Sequence, residues 1–168
     1  GELAGRTVGL LGDGAVPRVL KPLLEALGAR VVYWSRSDRN TEFDALLADA
    51  DIVSLHLPLA ADTERLIGAA QIARMKPGAI LINTARGALV DETALADALR
   101  SGRLGAAGLD VFAEEPVATE HSLLRLPNVV ATPHLAWLTQ ETLERSLVGA
   151  LDNVRHLRDG VALLNRVA

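Results

Sequence analysis

The sequence contains no cysteine, and aromatic residues make up only 3% of its 168 residues. The lack of thiols excludes disulfides, thiolate nucleophiles, cysteine-ligated zinc and iron–sulfur clusters. Basic residues are not in excess either, since 17 Lys and Arg face 21 Asp and Glu and give a net charge of -4. A dense basic face is what binding to a nucleic-acid backbone uses. We therefore expect no nucleic-acid partner, and a core that is stabilised by packing alone.

Long hydrophobic runs are also missing from the sequence. None approaches the roughly 20 residues that a membrane-spanning helix needs. The first residues, Gly1-Glu2-Leu3, lack the basic segment that opens a secretory signal peptide. We therefore expect a cytoplasmic protein with no membrane partner.

Short apolar runs alternate with amphipathic stretches along the whole chain, as is typical of α/β folds. Runs such as Ala79-Ile80-Leu81-Ile82 have no polar alternation, which is expected of parallel strands covered by helices on both faces. We predict a doubly wound, mostly parallel, Rossmann-like sheet of about six strands. A single dinucleotide-binding domain over residues 1–168 is expected. The predicted strands are Thr7–Leu11, Arg30–Trp34, Asp51–Leu55, Ala79–Asn83, Gly105–Asp110 and Asn128–Ala131.

Capping signals place helices between these strands. A helix that contains Leu23 and Leu27 is predicted to end at Gly28, and a helix N-capped by Asp91 is predicted to end at Gly102. A final amphipathic helix is predicted over Thr139–Arg158. A long loop is predicted over Val111–Pro127, and loops of this length are often functional.

The first predicted strand runs into the glycine-rich turn Gly12-Asp13-Gly14-Ala15-Val16-Pro17. In a dinucleotide fingerprint the first glycine permits a tight turn, the second lets the backbone approach the pyrophosphate, and the helix N-terminus faces the anion. Gly12 and Gly14 fill the first two positions, and Pro17 stands at the third. The order of strand, glycines and helix favours a nucleotide site that includes Ala15 and Val16, although the same glycine spacing also occurs in ordinary turns.

The tip of the second predicted strand carries no carboxylate that would accept from a ribose 2′-OH. It reads Ser35-Arg36-Ser37, and Arg36 with Arg39 would pair with a 2′-phosphate through charge-assisted hydrogen bonds. This pattern favours NADP over NAD. The alternative interpretation is a solvated basic loop.

Four polar residues follow predicted strands, namely Arg86, Asp110, Glu115 and His134. Ligands of open α/β sheets bind beyond the carboxyl ends of the strands, so these side chains are expected at one crevice. Each also has an ordinary interpretation, as a loop charge, a solvated carboxylate or a turn histidine.

Several segments, taken together, resemble successive motifs of the coenzyme domain of the D-isomer-specific 2-hydroxyacid dehydrogenases, in the same order and spacing. Trp137 is similar to the tryptophan of glyoxylate and hydroxypyruvate reductase-like members. The segments are Val53–Leu59, Met75–Asp91, Leu109–Phe112 with Glu115-Pro116, and Thr132–Ala136.

The resemblance implies a catalytic set of three residues. Arg86 would bind the substrate carboxylate and polarise the keto oxygen. His134 would protonate that oxygen and act as the base in reverse, and Glu115 would hydrogen-bond His134 and favour its protonated form.

The resemblance also implies a cofactor site, in which Asp110 would hold the nicotinamide carboxamide and Pro58 and Thr84 would line the cleft. The full set of expected cofactor-binding residues is Gly12, Gly14, Ala15, Val16, Ser35, Arg36, Ser37, Pro58, Thr84, Ala85, Asp110 and His134.

The sequence departs from the family pattern in three respects. Pro17 replaces the third glycine, and the segment Ser37–Thr41 is shorter than in relatives, which removes an edge strand and part of the adenine pocket wall. Family members are also longer, and their substrate domain is absent from this chain.

These observations predict the coenzyme-binding domain of an oxidoreductase that transfers hydride between NADP(H), with NAD(H) as the alternative, and a small 2-keto or 2-hydroxy acid. Without a second domain the cleft would not close, so the isolated chain is expected to bind cofactor but turn over poorly. Because relatives pair through this domain, a homodimer is expected. Two alternatives stay open: a non-catalytic nucleotide-sensing dimerisation module, and a cofactor-free scaffold.

Overall fold

A parallel sheet forms the centre of the computed structural model, which describes residues 1–35 and 42–166. The strands are β1 (Thr7–Leu11), β2 (Arg30–Trp34), β3 (Ile52–Leu55), β4 (Ala79–Asn83), β5 (Leu104–Leu109) and β6 (Val129–Ala131). Within the described residues they form a six-stranded sheet in the order β2-β1-β3-β4-β5-β6, and each neighbouring pair is parallel. The predicted Rossmann-like α/β fold is confirmed, and each predicted strand lies within one residue of its observed bounds.

Helices connect the strands, and their ends follow the sequence signals. Asp91 caps its helix by accepting from the Ala94 N–H at 3.0 Å, and Thr139 accepts from the Thr142 N–H at 3.1 Å. Gly160 closes the last helix in the left-handed conformation, at φ 68°. The helices are α1 (Ala15–Ala26), α2 (Phe43–Asp49), α3 (Ala69–Arg74), α4 (Glu92–Arg100) and α5 (Gln140–Asp159).

Helix α3 and two short 3-10 turns were not predicted from the sequence. With six residues, of which only Ile72 is buried, α3 is too short to show a hydrophobic period. The 3-10 turns cover Gly87–Leu89 and Ser122–Arg125, and the second lies inside the predicted loop after β5.

Helices cover both faces of the sheet, as the apolar runs predict. Leu10 of β1 is buried with Leu24 of α1 packed against its cluster, whereas the next residue, Leu11, belongs to the larger core cluster that contains Leu46 of α2. Gly9, the residue before Leu10, leaves room for α2, because a Cβ there would lie 2.6 Å from a Leu46 methyl carbon. The first strand is therefore buried on both sides.

The strand order places a topological switch point beside β1. The chain moves from β1 to β2 on one side and later returns to place β3 on the other side. In open α/β sheets, ligands bind in the crevice outside the carboxyl ends of the strands at such a point. Here that crevice lies between the turn after β1 and the segment after β3.

The chain divides into two compact units, Gly1–His134 and Leu135–Ala168. The first unit holds the sheet and α1–α4. In the second unit, Asn153 of α5 accepts from the Leu164 N–H at 2.7 Å and fastens the segment after the helix. None of the α5 residues is buried, and its apolar residues include Leu147, Leu151 and Val154. No helix within 1–35 and 42–166 has the length and apolar character that crossing a membrane requires.

Candidate active site and cofactor crevice

The turn after β1 has the shape that the glycine pattern predicts. Gly12 has φ 124°, and a Cβ there would lie 2.6 Å from the His56 carbonyl oxygen, so a larger residue would be both strained and in collision. Gly14 precedes α1, and a Cβ at this position would meet nothing within 4 Å. The turn is thus tight against the segment after β3 and open where α1 begins.

Helix α1 starts without an acidic residue in its first turn and without a side-chain cap. Ala15 and Val16 lie in this turn, where backbone N–H groups have no intrahelical partner and favour an anion. Pro17 is buried, and its carbonyl accepts from the Tyr33 hydroxyl at 3.0 Å. The proline therefore packs towards β2, where the fingerprint's third glycine would lie against the sheet.

Ser35 follows the last residue of β2 and is buried. The Gly12 N–H donates to the Trp34 carbonyl at 2.8 Å, which places the two elements side by side. Arg36 and Ser37, the other residues predicted to contact the cofactor here, lie outside the described residues.

The segment after β3 forms the other wall of the crevice. Pro58 is exposed, and its carbonyl accepts from the buried Thr63 hydroxyl at 2.8 Å. His56 Nε2 lies 2.9 Å from the Ser54 hydroxyl oxygen, and burial lowers the pKa of this histidine. Burial thus favours the neutral form of this imidazole, whose backbone carbonyl lies under the glycine turn.

A buried asparagine shapes the turn that carries Arg86. Asn83, the last residue of β4, donates from Nδ2 to the Arg86 carbonyl at 2.8 Å and accepts at Oδ1 from the Ala85 N–H at 3.1 Å. Thr84 and Arg86 are exposed on this turn, and Ala85 is half-buried. The Arg86 guanidinium also donates to the Ala85 carbonyl at 2.6 Å.

The turn after β4 touches the loop after β5 with no intervening side chain. A Cβ at Gly87 would lie 1.9 Å from the carbonyl carbon of Phe112. Only glycine permits this approach, so the segment that bears Arg86 is held against the segment that leads to Glu115.

Asp110 lies buried at the end of β5 and joins this strand to the segment after β6. The Thr132 hydroxyl donates to its carboxylate, and the His134 N–H donates to its backbone carbonyl at 2.8 Å. These bonds fix the position of the segment that carries the histidine.

Glu115 and His134 form a hydrogen-bonded pair. Nδ1 of His134 donates to Oε2 of Glu115 at 2.8 Å, and Oε1 of Glu115 accepts from the Phe112 N–H at 2.9 Å. The hydrogen bond from His134, followed by that from Phe112, holds the pKa of Glu115 below its ordinary value. His134 has φ 55°, a left-handed conformation that non-glycine residues rarely adopt and that recurs at functional sites.

Arg86, Glu115 and His134 line a common cleft of about 220 Å³, with Leu59 and Phe112 among its apolar walls. A second cavity of about 500 Å³ is also lined by Glu115 and His134, together with Asp110 and Thr132. The structure thus brings together a cation, a carboxylate–imidazole pair and a buried carboxylate.

A family model for the NAD binding domain of D-isomer specific 2-hydroxyacid dehydrogenases matches residues 1–136. The chain belongs to this dehydrogenase family. It carries the family's Rossmann-like NAD-binding domain, and the family's reaction is hydride transfer.

Named relatives of this dehydrogenase domain agree with the family. The glycerate dehydrogenase of Methylorubrum extorquens is 42% identical over 157 residues, which cover 91% of this chain and 50% of the relative. The glyoxylate reductase of Aeropyrum pernix is 42% identical over 163 residues, which cover 91% of this chain and 49% of the relative. The crystal structure of D-lactate dehydrogenase with NAD+ from Lactobacillus jensenii superposes with a TM-score of 0.92 at 34% identity, over 100% of this chain and 57% of that chain. The chain spans about half the length of these relatives.

Sequence reasoning missed several residues that shape the cleft. Asn83 is a buried hydrogen-bonding residue at the end of β4, Thr132 is an exposed one just after β6, and Phe112 contacts the neighbouring turn. The available signal was their position, since each lies within or beside a family-like segment and at the carboxyl end of a strand.

Proposed function

We propose that this chain is the coenzyme-binding half of an enzyme that reduces a small 2-keto acid to a D-2-hydroxy acid, and that Arg86, Glu115 and His134 are its catalytic residues. The observation that carries the proposal is the single cleft that all three residues line, with a 2.8 Å hydrogen bond between Glu115 and His134. The relatives named glycerate dehydrogenase and glyoxylate reductase support this substrate class.

Arg86 would bind the carboxylate of the substrate. A guanidinium offers a planar pair of N–H donors that matches a carboxylate, and one further N–H can polarise the adjacent keto oxygen. Its exposure on the turn shaped by Asn83 supports this role, because the side chain is open to an incoming anion.

His134 would act as the general acid in reduction and as the general base in oxidation. Because Nδ1 is bonded to the Glu115 carboxylate, Nε2 would carry the proton that moves to the keto oxygen. The hydrogen bond to the Glu115 carboxylate fixes the orientation of the imidazole. The proton is recovered from solvent after product leaves.

The crevice fits a dinucleotide. The close approach at Gly12, the open space at Gly14 and the uncapped start of α1 together suit a pyrophosphate, with Ala15 and Val16 supplying backbone N–H groups. When bound, the reduced nicotinamide supplies the hydride. The buried Asp110, with Pro58, Thr84 and Ala85, would hold and enclose the nicotinamide end.

The cofactor preference is proposed to be NADP(H), with NAD(H) as the alternative. The support is a strand tip that ends in Ser35 and continues into Arg36, with no carboxylate for a ribose 2′-OH. Calorimetric titration with NADPH and NADH separately tests this preference. We expect NADPH to bind more tightly and the Arg36→Ala variant to lose that advantage, whereas an equal loss for both cofactors would contradict a 2′-phosphate contact.

The isolated chain is proposed to bind cofactor without useful catalysis. The named relatives are about twice as long, and the remainder of such a protein would close over the cleft and exclude water. Assays of glyoxylate and hydroxypyruvate reduction by the 168-residue chain test this proposal. Sustained turnover would show that the domain closes its own site.

Homodimerisation is proposed as well. Val16, Val19 and Leu23 of α1 are each more than half exposed, which is an apolar surface suited to a second copy. Light scattering across a range of protein concentrations is expected to show a dimer, and a constant monomeric mass would reject it.

A non-catalytic nucleotide sensor is the second candidate function. It needs the crevice but has no chemical use for a cation and a carboxylate–imidazole pair at one cleft. A cofactor-free scaffold is the third, and failure of both cofactors to bind in the calorimetric titration would favour it.

A further inference from the structure

A second carboxylate–imidazole pair lies behind the loop that carries Glu115. Glu92, the first residue of α4, accepts at Oε1 from the Ala113 N–H at 2.8 Å, and its Oε2 lies 3.2 Å from Nε2 of His121. Both side chains are mostly buried, with 20% and 25% of their surface exposed respectively. The pair thus joins the start of α4 to Ala113 and His121, two residues of the segment between β5 and the second 3-10 turn.

The hydrogen-bond partners of His121 indicate which ring nitrogen carries a proton. Nδ1 accepts from the Leu123 N–H at 3.4 Å, so Nε2 is the nitrogen that carries a proton and donates to Glu92. The ring also packs edge-on against Phe112, with centroids 5.5 Å apart and planes inclined by 75°. His121 therefore contacts the residue whose N–H donates to Glu115.

A continuous set of contacts leads from α4 to the catalytic pair. Glu92 fixes Ala113 and His121, the His121 ring packs on Phe112, and the Phe112 N–H donates to Oε1 of Glu115. The other carboxylate oxygen of Glu115 accepts a hydrogen bond from Nδ1 of His134. Each link is a hydrogen bond or a ring contact, from the mostly buried Glu92 and His121 to the exposed Glu115.

We propose that Glu92, acting with His121, is a positioning residue for the dehydrogenase reaction, because it holds the loop in which Glu115 is aimed at His134. The inference rests on the proposed function, since it assigns a role in orienting the proposed general acid. Glu92 does not line the cleft itself, so it acts through Phe112 and Glu115.

The matched variants are Glu92→Ala, Glu92→Gln and Glu114→Gln. The first removes both acceptors, and the second keeps an oxygen for the Ala113 N–H but replaces the oxygen that faces His121 with an amide donor. The third makes the same charge change at an exposed neighbour in the same loop.

The readouts are made by NMR on the 168-residue chain. They are the pH titration of the Glu115 carboxyl carbon, the Nδ1–H resonance of His134, and hydrogen exchange of the Ala113 amide. The groups that influence the Glu115 carboxyl are His134, the Phe112 N–H and the Asp110 carboxylate. A role limited to supporting the helix and the Ala113 amide would leave the Glu115 titration and the His134 Nδ1–H resonance unchanged as long as the variant folds.

In Glu92→Ala we expect the Glu115 pKa to rise towards its ordinary value, the His134 Nδ1–H signal to broaden or vanish, and Ala113 to exchange about tenfold faster. Glu92→Gln is expected to lie between Glu92→Ala and the wild type, and Glu114→Gln to match the wild type. Wild-type Glu115 titration in a folded Glu92→Ala variant would overturn the proposal.

If Glu92→Ala does not fold, His121→Ala tests the same chain of contacts. It removes the ring from Phe112 and the partner of Glu92, and an unchanged Glu115 titration in it would equally overturn the inference. NADPH and NADH affinities of all variants are measured beside the spectra. If the wild type binds neither cofactor, the proposed function is rejected. The Glu115 titration and the His134 Nδ1–H signal would still decide whether Glu92 positions Glu115.

Discussion

At the scale of single residues, the site depends on hydrogen bonds that bring ordinary side chains into defined orientations. Glu115 uses one carboxylate oxygen for its own loop and the other for His134. Asn83 uses its amide nitrogen and oxygen to hold the backbone of the turn that bears Arg86. The orientation of the polar groups at the cleft therefore depends on hydrogen bonds to neighbouring side chains and backbone.

The acid dependence of stability should report the Glu115 contacts. Because the folded-state pKa of Glu115 lies below the ordinary value of 4.5, its stabilisation is present above that pH and is lost as the pH falls through the folded-state value. We expect the difference in free energy of unfolding between wild type and Glu115→Gln to shrink as the pH is lowered below 4.5. Urea unfolding at several pH values measures it, and a difference that does not change with pH would contradict the assignment.

Removing the hydroxyl that bonds Asp110 should cost stability. Thr132→Val leaves the buried carboxylate without this donor, and the expected loss is about 1–3 kcal/mol by urea unfolding. Thr119→Val is the control, because the Thr119 hydroxyl donates to the exposed carboxylate of the neighbouring Glu120 and not to a buried one, so its change should stay below about 0.5 kcal/mol. Equal effects in the two variants would argue against a structural bond to Asp110.

At the scale of elements, the turn between β1 and α1 combines two glycines with different tasks. Gly12 is required by its left-handed backbone and by the His56 carbonyl, whereas Gly14 has an ordinary φ of -69° and open space around it. The first serves the fold, and the second would serve the ligand.

Alanine substitutions separate these tasks. Gly12→Ala is expected to destabilise the protein by about 2 kcal/mol or more, because it adds strain and a collision. Gly14→Ala should cost less than about 1 kcal/mol in stability yet weaken NADPH and NADH binding, since its methyl group would occupy the cradle. Thermal unfolding and calorimetry measure both, and tight cofactor binding by a folded Gly14→Ala variant would place the pyrophosphate elsewhere.

The sequence predicts the elements better than it predicts the contacts between them. Strands such as Ala79–Asn83 are predicted by their contiguous apolar residues, and the Asp91 and Thr139 caps are predicted by local residue preferences. Helix α3 is too short to show a period. Bonds such as Thr132 to Asp110 join residues 22 positions apart, so no local pattern reveals them.

At the scale of the whole molecule, the two compact units differ in how much of their apolar surface is buried. The sheet unit has strands such as β1 that are buried along their full length, whereas α5 has no buried residue. Isolated helices gain most of their stability from packing, so the second unit should be the less stable one.

Hydrogen exchange tests this difference directly. Amides of α5 are expected to exchange far faster than those of β1 and β4 at low protein concentration. If α5 becomes protected as the concentration is raised, a second copy covers its apolar residues. Protection of α5 equal to that of β1 at every concentration would contradict a weakly stabilised second unit.

The contact between Gly87 and Phe112 also bears on how this protein would be redesigned. Backbone meets backbone there, with no space for even a methyl group, so the turn that bears Arg86 and the loop that leads to Glu115 are held together rigidly. A redesign for a new substrate would therefore leave Gly87 and Phe112 unchanged. Variation in the substrate's tail would instead be accommodated at the open rim of the cleft, where Leu59 lies.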